Sequence, residues 1–211
     1  MKGEARRRAG ALAGLVAGPF FLISVGLNTW ASIDYLHQLG WEFVGGEQVP
    51  WPSSLARGPY GWVGASCDLC RYGPADRDSG YRSTRSAAAE AGGSFAVVLL
   101  ALLGVALMLA GFRVDAPMLS GGDPETWNGW VHASAFLLII ATGVLAPLTT
   151  ALAVRSEPGW RPIAVVSVAA SVLFVVFLFL PWGNASFLMA IVTLFAWIAA
   201  VAVRLAPWGR L

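Results

Sequence analysis

Two pairs of residues in this chain have types and spacing that chemistry can use. Cys67 and Cys70 stand as Cys-x-x-Cys, the spacing of a redox dithiol or of half a zinc site. A zinc site needs about four ligands. The chain has no further cysteine, and its two histidines, His37 and His132, lie far from the pair in sequence. A thioredoxin-like role needs a strand-helix-strand setting that an apolar, helical chain does not offer. The second pair is Asp115 and His132. An imidazole titrates near neutrality, and a nearby carboxylate can orient its proton or share a metal with it. Asp123 and Glu125 shortly precede His132, so these groups gather where a helix is expected to begin. That pairing suits an outer-face hydrolase, or a metal-dependent enzyme acting on a lipid or its headgroup. The alternative is that His132 hydrogen-bonds a neighbouring loop, with the acids forming a solvated face.

The elements that must position these residues are membrane helices. Uncharged stretches run from Ala9 to Ser32, Ala91 to Phe112, Thr126 to Val154, Pro162 to Pro181 and Gly183 to Val203. Each has roughly the 20 apolar residues that cross a ~30 Å hydrocarbon layer as a helix. With 57% apolar and 12% charged residues, the chain reads as one all-α integral membrane domain. Its partner is the lipid bilayer, and a net charge of +2 gives no reason to expect nucleic acid. The basic, then apolar, N-terminus resembles a signal peptide. Its uncharged run is longer than the 7 to 15 residues such a region has, and Gly18-Pro19 interrupts it as in a transmembrane helix. A retained first span is therefore expected.

The positions of the basic residues conflict with five spans. With the N-terminus inside, five crossings leave five basic residues inside and nine outside, against the positive-inside rule. One further crossing between Arg57 and Arg77 reverses this, giving eleven inside and two outside, with Arg71 in the crossing. Six spans with both termini inside satisfy the rule. No such span is visible, because residues 66–90 carry Asp68, Arg71, Asp76, Arg77 and Asp78. Each charge at the bilayer centre costs ~2.5 to 3.5 kcal/mol. Two readings follow: an out-of-frame translation of a lost second helix, since a one-base shift permits an apolar run ending in arginine, or a polar loop from 33 to 90.

Between the spans lie an aromatic loop with Trp41 and Trp51, a loop from Arg113 to Glu125, a short basic turn from Arg155 to Arg161, and a tight turn at Pro181-Trp182-Gly183-Asn184. GPFFLISV in the first span, SSLARGPYGWV at 53–63, LALLGVALMLAGFRVDAP at 100–117, TWNGWVH at 126–132 and FAWIAAVAVRL at 195–205 occur in that order. In this the chain resembles the bacterial membrane-protein family called domain of unknown function 998. The resemblance implies a six-helix bundle in a bacterial inner membrane, and it brings no activity or cofactor with it. Over about Ser66 to Ala91 the chain departs from that pattern.

No Asp, Glu, Lys or Arg lies within the five stretches. Ion-coupled transporters usually carry such groups along their pathway. Ser24, Asn28, Thr142, Thr149, Thr150, Ser167, Ser171 and Thr193 are expected to serve helix packing, or else a small-solute or lipid path. No phosphate-binding loop and no G-x-S-x-G elbow is present.

Overall fold

The computed structural model describes residues 2–38, 87–112, 114–120, 122–181 and 184–205. Six α-helices lie within them: α1 (Lys2–Ala31), α2 (Ile33–Gln38), α3 (Ala87–Leu109), α4 (Trp127–Val154), α5 (Arg161–Phe179) and α6 (Asn184–Leu205). No strand occurs among the described residues, so they are all-α. Helix limits follow local chemistry. Thr126 accepts a hydrogen bond as the N-cap of α4, Pro162 lies in the first turn of α5, and α5 stops two residues before Pro181.

Ala9–Ala31, Trp127–Val154, Pro158–Phe179 and Ala185–Leu205 are each long and apolar enough to cross a bilayer, and Ser94–Leu109 is a shorter apolar stretch of α3. Their outer surfaces are apolar as well: Leu27, Leu137, Val165 and Phe179 are exposed. Exposed surface of that kind over whole helices belongs against lipid, where a helix satisfies its own backbone. The chain is a multi-pass membrane protein.

Each of α3, α4, α5 and α6 packs against its neighbour in sequence. One core layer joins Leu99, Ala146, Ala170 and Trp197; a second joins Leu103, Ala106, Ile139, Phe174, Ala190, Ile191 and Leu194. Lipid is as apolar as leucine, so close packing and hydrogen bonds must hold the helices together. Gly143 supplies the first: a Cβ there would stand 2.7 Å from Cζ of Phe174, whose ring is fully buried. Ser167 and Ser171 supply the second. Trp197 Nε1 donates to Ser167 Oγ at 2.8 Å, and Ser171 Oγ donates to the Val144 carbonyl at 3.0 Å. Pro147 has no N–H to give the Gly143 carbonyl, one residue before that contact.

Helix α1 packs on α6 through Gly14 and Gly18, a G-x-x-x-G pair. A Cβ at Gly14 would lie 2.8 Å from Ala202 Cβ, and one at Gly18 would lie 3.1 Å from Phe195 Cβ. One turn further along α1, the Phe21 ring lies 5.1 Å from that of Phe195. The numbering rises on α1 as it falls on α6, so the two helices are antiparallel. Residues 2–8, with Lys2, Arg6, Arg7 and Arg8, therefore share one end of the bundle with Arg204. The α4–α5 turn is there too, because Arg204 Nη2 donates to the Gly159 carbonyl at 2.6 Å. This is the basic end. Asp34, Asp115, Asp123 and Glu125 lie at the other.

Antiparallel pairing of α3 with α4 then makes α3 parallel to α1. Gln38 lies toward the acidic end and Ala87 toward the basic end. The loop expected from 33 opens with α2, whose Leu36 is buried beside Val25, Ile33 and Tyr35. The last residues of the anomalous stretch 66–91, from Ala87 onward, belong to α3. Cys67, Cys70, the aromatic loop beyond Gln38, the question of reading frame, and Trp182-Gly183 lie outside the described residues.

Candidate functional site at the acidic end of the bundle

Asp115 sits between the end of α3 and the start of α4, in a segment that Val114 anchors by burial. Its carboxylate faces the first turn of α4. Oδ2 accepts from the backbone N–H groups of Glu125 at 2.8 Å and Thr126 at 2.7 Å, and Oδ1 accepts from the Thr126 hydroxyl at 2.6 Å. Thr126 Oγ1 in turn accepts from the Gly129 N–H at 3.3 Å. A helix starts with unpaired N–H groups and a partial positive charge, and a carboxylate answers both. Asp115 is thus a cap supplied from a distant loop, working through Thr126.

The fit requires Gly129. A Cβ at that position would collide with Asp115 Oδ2 and stand 2.7 Å from its Cγ. Glycine is a poor helix former, and its place in the first turn of α4 is explained by this approach. Pro124 closes the same space, 3.1 Å from the virtual Cβ.

His132 lies one turn further along α4, on the face that carries Gly129, and is 8% exposed. Its ring lies near the backbone of Ala110 and Phe112, where α3 runs out. Its Nδ1 is buried and has no hydrogen-bond partner among the described residues. His132 therefore packs against the end of α3 and brings a buried ring nitrogen without a partner among the described residues to that junction.

Both predicted site residues thus act on the same junction between α3 and α4, Asp115 from the loop and His132 from the helix. Asp123 and Glu125 lie on the exposed surface beside them; the Glu125 backbone, not its carboxylate, enters the described hydrogen bonds. Among the described residues no group of three or more His, Cys, Asp or Glu is arranged to hold a metal. Two participants escape sequence reasoning, Gly129 and Thr126. Thr126 carries a legible signal, a hydroxyl before an apolar run, whereas Gly129 depends on a loop 14 residues away. Trp127 and Trp130 are exposed around the site, and Trp30 ends α1 at the same level, forming an aromatic rim at the bilayer surface.

No protein-family model, curated protein or solved structure matches this chain.

Proposed function

We propose that this chain is a multi-pass protein of a bacterial inner membrane, on the plan of the family called domain of unknown function 998. Its basic end faces the cytoplasm and its acidic end faces outward. The antiparallel packing of α1 on α6 carries this reading. It places Lys2, Arg6, Arg7, Arg8, Arg155, Arg161 and Arg204 at one end, and positive charge is retained on the cytoplasmic side. The parallel course of α1 and α3 supports an even number of crossings, as the arginine count does. Reporter fusions after Leu211 and within 122–125 test it: the first is expected to read cytoplasmic and the second periplasmic. A periplasmic signal at Leu211 with α6 intact in the membrane overturns it.

For its activity we favour a role in the bilayer that rests on helix packing over hydrolysis by Asp115 and His132. The supporting observation is that the Asp115 carboxylate is spent on the α4 N-terminus. A general base for an external substrate must keep an oxygen within reach of it. The enzyme reading retains one specific support, the buried His132 Nδ1, which has no partner among the described residues. Purified wild type and His132→Gln, compared for lipid hydrolysis and for bound metal, separate the two. Turnover or stoichiometric metal in the wild type, lost in the variant, overturns the packing role.

A further inference from the structure

We propose that the basic end, around the turn between α4 and α5, is a binding surface for the phosphate of an anionic phospholipid headgroup. Arg155 and Arg161 bracket this turn, and both are exposed. Arg155 follows the last turn of α4, where a cation suits the helix dipole. Arg161 opens α5, where a cation opposes the dipole, so helix stability does not account for it. A helix N-terminus with an arginine beside it is suited to an anion.

The third group is already oriented. Arg204 donates one hydrogen to the Gly159 carbonyl at 2.6 Å, and its guanidinium carbon lies 5.7 Å from the centre of the Trp160 ring. A guanidinium has five N–H donors, and this exposed one retains more to offer. Trp160 fixes the depth, because tryptophan settles at the headgroup layer. The turn joins two bilayer-crossing helices, so its arginines stand at the level of the lipid phosphates. Glu157 lies in the same turn, and Glu4 and Glu90 lie toward this end by position. They are outnumbered by Lys2, Arg6, Arg7, Arg8, Arg155, Arg161 and Arg204.

The test uses the full chain in zwitterionic nanodiscs, with phosphatidylglycerol, phosphatidylcholine or inorganic phosphate added. Native mass spectrometry reads retained lipid, and thermal unfolding reads stabilisation. Phosphatidylglycerol is expected to be retained in preference to phosphatidylcholine and to raise Tm, with inorganic phosphate doing neither. Each arginine near a charged membrane surface contributes about a fivefold preference, so Arg155→Gln with Arg161→Gln should lower the anionic preference about 30-fold. Unchanged Tm in phosphatidylcholine shows that the double variant still folds. Arg204→Lys, which keeps the charge, should retain most of the preference. Equal retention of the two lipids by the wild type, or an undiminished preference in the double variant, overturns the proposal. Stabilisation by inorganic phosphate equal to that by phosphatidylglycerol overturns the lipid as the source.

Discussion

The carboxylate of Asp115 occupies the space in which a side chain at residue 129 would stand, so Gly129 and Asp115 form a matched pair. The match places three hydrogen bonds on the start of α4 and ties the end of α3 to it. His132, near Ala110 and Phe112 at the end of α3, adjoins the same junction.

Gly129→Ala is expected to destabilise the protein by about 1–3 kcal/mol, the usual penalty of overpacking. Asp115→Ala removes bonds to a charged acceptor, each worth about 1.5–3 kcal/mol. The two changes share one cause, so the double variant should cost clearly less than the sum of the single ones. Unfolding in mixed micelles measures all three, and strict additivity would show that the pair is not coupled.

At the middle of the bundle, Gly143→Val should collide with Phe174 and Leu194. Phe174→Leu in the same chain should recover part of the loss by shortening the opposing ring. A Gly143→Val variant as stable as the wild type would mean that α4 and α5 can separate freely at this level.

Ser167→Ala leaves the Trp197 indole N–H buried without its acceptor, Trp197 being 2% exposed. Membrane hydrogen bonds of this kind average ~0.6 kcal/mol, with ~1.7 at the upper end. The expected cost lies in that range, and Ser167→Thr, which keeps the hydroxyl, should cost less if its methyl is accommodated. Indole fluorescence during unfolding follows both variants, and no change for Ser167→Ala would remove this pair from the packing account.

His132 should tolerate replacement according to hydrogen bonding. His132→Gln keeps a polar group that can hydrogen-bond the backbone at the end of α3, while His132→Phe fills the space without one. Leaving a buried group unpaired costs about 1–3 kcal/mol, so the Phe variant should be the less stable. Equal stability of the two would assign His132 to volume alone.

The spans were legible in the sequence because insertion into lipid is governed residue by residue, and a stretch of about 20 apolar residues declares itself without reference to the rest of the chain. The arginine pattern led separately to the expectation of an even number of crossings, since charge placement is a property of each loop. Ser167 and Ser171 were legible as packing residues only by type. Their partners, Trp197 and the Val144 carbonyl, lie 30 and 27 positions away, and helix pairing selects them. Asp115 and His132 were visible as chemical groups, but their tasks were not. Whether a carboxylate caps a helix or faces a substrate depends on which backbone N–H groups lie within about 3 Å, and the path of the chain from α3 into α4 decides that. The antiparallel course of α1 and α6 was decided in the same way. Apolar helices partition into lipid one by one, but only close contacts such as Gly14 against Ala202 determine which ends meet.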